Sequence, residues 1–184
     1  MEPTKSIEII ESMLSETRKS LHRNSFYFIL WGALLIPAGI AEYILYGKAY
    51  FWTIWPAVGI LGGIISAIYG KKESERAGTK TAGDRITEYT WGAFVFTMII
   101  GITYSVYNQL TPHVIILMLA GMATFISGGI SKFKPFVIGG ILLEVGAICC
   151  AFFVEPMYHS LIFSASILVG YVWPGLTLRK SENV

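Results

Sequence analysis

Two carboxylic acids stand alone inside long apolar stretches, and their placement is what invites a chemical role. Glu144 falls near the middle of Phe136–Val154, and Glu42 falls in the last third of Phe26–Tyr46, one turn beyond Pro37. Inserting an ionisable side chain at the centre of a hydrocarbon layer costs about 2.5–3.5 kcal/mol, so a carboxylate found there is a functional candidate by default. At mid-depth it can take up a proton or cation from one side and release it to the other. The alternative for Glu144 is a neutral acid hydrogen-bonded to a Ser, Thr or Tyr of a neighbouring helix, and the two readings weigh equally. Pro37 removes a backbone donor and frees a carbonyl, so the segment leading to Glu42 can bend and line water. Glu42 nevertheless lies close to one end of its stretch, and the expectation is that it snorkels to the surface.

Other reactive residue types are arranged less suggestively. His113 and His159 each precede an apolar stretch and, with Glu155, have the chemistry to bind a divalent metal. Two imidazoles and a carboxylate on separate loops do not make a ligand set, so these are expected to be solvated loop residues. Cys149 and Cys150 are adjacent in sequence, which does not suit disulfide geometry, and no four-ligand metal spacing accompanies them; they read as small packing residues. Asp84, Arg85 and Glu88 suit a helix start. Ser127-Gly128-Gly129 offers a hydroxyl with no His or Lys at its depth to activate it. GxSxG, HExxH and Walker patterns are absent. The sequence therefore predicts no enzyme, no cofactor and no metal site.

The elements that must position these residues are six apolar stretches, approximately Phe26–Tyr46, Phe51–Tyr69, Tyr89–Tyr107, Val114–Ile130, Phe136–Val154 and Leu161–Leu178. Each approaches the ~20 residues a helix needs to cross a ~30 Å hydrocarbon core. Composition agrees: 54% of the 184 residues are apolar, only 14% are charged, and the mean hydropathy is +0.59. Thirteen of the 14 Lys and Arg residues fall before the first stretch, between the second and third, between the fourth and fifth, or after the sixth; only Lys48 lies on the other side. The positive-inside rule then places both termini in the cytoplasm. Trp52, Trp55, Tyr50, Tyr46, Tyr107 and Tyr158 gather where helices leave the outer face, as interfacial aromatic rings do. No cleavable export signal is expected, because residues 1–24 are too long and too charged for one. The net charge of +2 gives no sign of a nucleic-acid partner.

Residues 1–24 read as a cytoplasmic amphipathic helix, with Ile7, Ile10, Leu14 and Leu21 on one stripe, acids early and bases late. Such a helix lies on the lipid surface or docks a protein partner. Residues 25–180 form the six-helix membrane domain and 181–184 a cytoplasmic tail. Internal repetition is suggested by Trp31-Gly32-Ala33, Trp91-Gly92-Ala93 and Ile138-Gly139-Gly140, and by Ile65-Ser66 and Ile126-Ser127, each with a Lys five residues beyond the Ser. The predicted architecture is thus all-α, with three helical hairpins as parallel repeats about an axis along the membrane normal. Gly59 and Gly63, Ala120-Thr124-Gly128, and Ser166-Gly170 are small-residue rows suited to close helix packing; a homodimer through Gly59 and Gly63 is the lesser alternative.

Ser25-Phe26-Tyr27-Phe28 leading to Leu30-Trp31-Gly32, Ile126-Ser127-Gly128-Gly129-Ile130 leading to Lys132-Phe133-Lys134-Pro135, and Gly139-Gly140-Ile141 together resemble a family of uncharacterised six-span inner-membrane proteins of Bacteroidetes. The resemblance covers most of the chain. It implies an inner-membrane location and six spans, and carries no activity, ligand or site residue. The first functional expectation is a non-enzymatic inner-membrane channel or transporter for protons, cations or a small solute, with Glu144 as its polar element. The alternative is a structural or regulatory membrane subunit that engages a partner or lipid through its N-terminal helix. A water-accessible cavity at Glu144 supports the first; a Glu144 that faces lipid, or a dry interior, supports the second.

Overall fold

A computed structural model describes residues 25–48, 53–77 and 82–181, and among these the chain is helical without a strand. The amphipathic helix expected over residues 1–24, the rings of Tyr50 and Trp52, and the last three residues lie outside them. The helices are α1 (Ser25–Ile44), α2 (Ile54–Ala77), α3 (Ala82–Tyr107), α4 (His113–Ser131) and α5 (Lys134–Phe152). The last crossing is composite: a 3₁₀ turn at Pro156–Tyr158, α6 (His159–Ile167), a π-helical turn at Leu168–Val172, and α7 (Trp173–Ser181). Six helical segments, this composite one included, are long and apolar enough to cross a membrane.

The tightest unit is the α4–α5 hairpin. α4 stops at Lys132, which adopts a left-handed conformation (φ 53°) and turns its N–H back to the carbonyls of Gly128 and Gly129. Phe133 is extended, and Pro135 occupies the first turn of α5, where its missing N–H is not needed. So short a link forces the two helices to run antiparallel in contact. Small residues let them close: a Cβ on Gly128 would stand 2.6 Å from the Val137 nitrogen, and one on Gly140 would stand 2.7 Å from the Phe125 nitrogen.

The last crossing and α1 pack on this hairpin. Pro174 has no N–H to return to the preceding turn, and the backbone there widens, the Trp173 N–H reaching the Leu168 carbonyl five residues back. The widened turn lays Gly170 on Leu143 and on the Gly139 carbonyl. Gly39 brings α1 against Ser160 and Ser164, whose hydroxyl donates to the Ile36 carbonyl at 3.2 Å. Phe28, Leu117, Phe136, Leu143, Phe163, Ile167 and Tyr171 fill the space between. Phe28 lies at its centre, 4.3 Å from the Phe136 ring and 5.2 Å from that of Tyr171, centroid to centroid.

α2 and α3 sit at the periphery: 6% of the membrane-crossing residues are buried in each, against 39% or more in α4, α5 and the last crossing. Trp31 of α1 lies over Gly62, Phe26 stacks on Tyr69 with centroids 3.9 Å apart, and the Tyr27 hydroxyl donates to the Ser66 carbonyl at 3.5 Å. Trp91 ties α3 to the core through Phe28 and Tyr171. Positions paired by the sequence repeat differ in surroundings, because α1 is central and α3 peripheral: Gly32 is pressed on Val172, whereas Gly92 faces open space.

The small-residue rows divide in the same way. Gly128 and Gly170 are in backbone-level contact, while Gly59 and Gly63 have nothing within 4 Å of a built Cβ. Gly128→Ala or Gly140→Ala should therefore lower stability in detergent by about 1–3 kcal/mol, as overpacking does where backbone is the obstacle. Gly59→Ala or Gly63→Ala should stay within about 0.5 kcal/mol. Thermal unfolding of the four variants side by side checks the contrast.

Candidate functional site at the distal helix ends

Polar groups converge at the end of the bundle away from Ser25 and Ser181. The last turn of α1 carries Glu42, the first turn of α2 carries Trp55, and α4 opens on His113. Trp55 Nε1–H donates to Glu42 Oε2 at 2.9 Å, and His113 Nε2 lies 2.9 Å from the same oxygen. An indole N–H can only donate, so this oxygen is already an acceptor. Oε2 receives the indole proton, and between Oε2 and His113 Nε2 a single proton is shared, carried by whichever of the two is protonated. Glu42 is 8% exposed and His113 1%. Phe163 of α6 backs both rings, its centroid 5.4 Å from that of Trp55 and 5.4 Å from that of His113.

A second imidazole extends the cluster. His159 Nε2 lies 3.0 Å from the Val154 carbonyl, which can only accept, so Nε2 carries a proton and Nδ1 is bare. Nδ1 then accepts from the Thr111 hydroxyl at 2.6 Å. The His113 and His159 rings meet edge-on with centroids 6.4 Å apart. Through these contacts the far ends of α1 and α5 and the starts of α2, α4 and α6 share one polar knot, capped by aromatic rings. Within it, His113 Nδ1 is buried with no hydrogen-bond partner.

These placements revise two sequence expectations. Glu42 does not snorkel; the Trp55 indole and the His113 imidazole on other helices satisfy it inside the protein, which removes the reason for reaching water. His113 and His159 are not solvated loop residues: both are buried. Trp55, half-buried at the helix end where the sequence placed it, donates to Glu42. Glu155 stays exposed beside the knot, and among the described residues no group of three His, Cys, Asp or Glu side chains has metal-binding geometry. Cys149 and Cys150 are both free thiols, and the Cys150 sulfur lies 3.9 Å from the His159 carbonyl. No sequence signal linked Trp55 or Thr111 to Glu42 and the two imidazoles, since their partners are 13 and 48 residues away.

Glu144 lies apart from the knot, on the outward side of the α4–α5 hairpin. Its side chain rests in a shallow groove lined by Met122, Phe125, Ile126, Ile141, Val145 and Ile148. The carboxyl lies against the Gly121 backbone, a Cβ there standing 2.8 Å from Oε1. Ser127, next to Ile126 of the groove, donates to the Ala123 carbonyl of its own helix.

The fold and its apolar surface define a multi-pass membrane protein. No protein-family model, curated protein or solved structure matches the chain.

The knot makes a prediction about its own parts. Trp55→Phe keeps a ring but removes one donor to Glu42, and Thr111→Val leaves His159 Nδ1 without its proton donor. Each should lower stability by about 1–3 kcal/mol, the range for stranding a buried polar partner. Tyr158→Phe, at a half-exposed ring stacked on Tyr43, should change it by less than about 0.5 kcal/mol. Detergent unfolding curves for the three variants measure this.

Proposed function

We propose that this is a non-enzymatic inner-membrane protein of structural or regulatory kind, with both termini cytoplasmic, rather than a channel or carrier. The observation that carries the proposal is the position of Glu144. A residue that passes protons or cations across the membrane must face an aqueous route, and this one rests in an apolar groove on the outer flank of α4 and α5. At the core, Phe28, Leu117, Phe136, Leu143, Phe163, Ile167 and Tyr171 pack side chain to side chain. The other intramembrane acid is held by two rings in the distal knot, where its bonds fasten helices together.

The asymmetry of the bundle supports the same proposal. A tightly packed half, made of α1, α4, α5 and the last crossing, carries two peripheral helices, α2 and α3, most of whose surface is open to lipid or to another membrane segment. The cytoplasmic amphipathic helix read from residues 7–21 would give such a subunit its contact with lipid or a partner. The resemblance to uncharacterised six-span Bacteroidetes proteins accords with this and adds no activity.

Purified protein reconstituted into vesicles with an internal pH- or cation-sensitive dye provides the test. Vesicles holding the protein should equilibrate a proton or potassium gradient no faster than empty ones, and Glu144→Gln should leave that rate unchanged. A protein-dependent flux that Glu144→Gln abolishes would restore the transport role.

A further inference from the structure

The end of the bundle opposite the knot carries its charge unevenly. Two helices of the packed half meet near it: a Cβ on Gly139 of α5 would stand 2.6 Å from the Gly170 carbonyl and 2.9 Å from the Pro174 ring. Lys134 lies five residues before Gly139 and Arg179 five residues after Pro174, on crossings that run in opposite directions. At a helical rise of about 1.5 Å per residue, both stand about 7–8 Å beyond that contact, toward the same end. Lys132 in the α4–α5 link and Lys180 beside Arg179 complete a group of four cations, all exposed.

No side chain of the four is paired with an acid among the described residues. In sequence, 131–135 and 176–184 together hold a single acid, Glu182. The link between α2 and α3 is built differently, its five cations interleaved with Glu73, Glu75, Asp84 and Glu88. Orientation in the membrane requires cations in the loops of one side and is served by either arrangement, because acids count little toward it. It does not account for a rim from which acids are missing. Arg179 and Lys180 suit the negative end of the α7 dipole, but Lys134 stands at the positive end of α5, with no acid in that first turn to offset it. Directly below these cations Trp173 and Leu176 of α7 turn exposed apolar side chains outward.

We propose that this rim binds an anionic phospholipid, its phosphate held among Lys134, Arg179 and Lys180 and its chains laid along Trp173 and Leu176. Phosphate supplies the counter-charge that the chain itself does not place there, and an anionic leaflet draws juxtamembrane cations of this kind. The adjoining apolar surface selects an amphiphile over a free phosphate ion, and an indole at that level suits the boundary between head groups and chains. The proposal does not depend on the structural or regulatory role above and would hold equally for a conducting protein.

Lipid titration of the full-length protein in detergent micelles tests it, with bound lipid counted by native mass spectrometry. Phosphatidylglycerol should bind more tightly than phosphatidylcholine, which has no net charge, by more than about tenfold. Lys134→Gln combined with Arg179→Gln should weaken phosphatidylglycerol binding by more than about tenfold, since each cation near the surface contributes about fivefold. The matched pair Lys71→Gln with Arg85→Gln, in the link where acids are interleaved, should leave it within about twofold. All four positions are exposed, so the substitutions leave the fold in place. Millimolar inorganic phosphate should not displace the lipid. The proposal is overturned by equal affinity for the two lipids, by a Lys134 and Arg179 variant that binds as the parent does, or by an equal loss in both pairs, which would mean a diffuse charge effect. Displacement by inorganic phosphate would make this a site for the free ion and overturn it as well.

Discussion

One carboxyl oxygen, Glu42 Oε2, is hydrogen-bonded to two rings on two other helices, and the arrangement of the distal end depends on it. Glu42 closes α1, Trp55 opens α2 and His113 opens α4. Without that shared oxygen, the indole N–H and the His113 Nε2 would lose their partner together. The cost of leaving any one of these groups unpaired while buried exceeds the modest net gain of making a single bond. That asymmetry explains how a few polar contacts can fix helix ends in a bundle whose association gains nothing from expelling water. His159 then ties α6 and the end of α5 to the same place, with Thr111 and the Val154 carbonyl fixing its tautomer.

The middle of the bundle is held by a different device. There the backbones approach closely through glycine: Gly128 and Gly140 join α4 to α5, Gly39 joins α1 to the serines of α6, and Gly170 joins the π-helical turn to α5. Dispersion contacts over short interaxial distances supply what hydrophobic association cannot supply in lipid. α2 and α3 lack such backbone approaches over most of their length, although Gly101 of α3 lies against the Ile115 side chain of α4. They are attached through aromatic side chains, Trp31 over Gly62, Phe26 on Tyr69 and Trp91 on Phe28, and most of their apolar surface stays outward.

Much of this fold was legible in the sequence, because a membrane span advertises itself locally: twenty apolar residues are a signal complete in one stretch. The six stretches correspond to the six crossings within a few residues at each end. The distal site was legible only in part. Glu42 stood out by being charged among apolar neighbours, yet its partners lie 13 and 71 residues away, and nothing local distinguishes an acid that reaches water from one met by donors on other helices. His113 looked like a loop residue because it precedes its apolar stretch, and it is the folding of the first turn of α4 over Phe163 that buries it. Small residues carried a similar ambiguity. Gly59 and Gly128 have the same sequence neighbourhood of small and apolar residues, but only Gly128 lies where a short, forced turn brings a second helix against it. The repeated Trp-Gly-Ala strings fared likewise, since Trp31 faces a peripheral helix and Trp91 faces the core.

The central claim is that Glu42 and His113 act as a pair, and a double-mutant cycle measures that directly. Glu42→Gln, His113→Phe and the combined variant would be compared with the parent by reversible unfolding in mixed micelles. Because each single change strands the partner that remains, the double variant should be less destabilised than the sum of the two, with a coupling energy of about 1 kcal/mol or more. Losses that add to within about 0.3–0.5 kcal/mol would show that the two side chains are independent and would contradict the account.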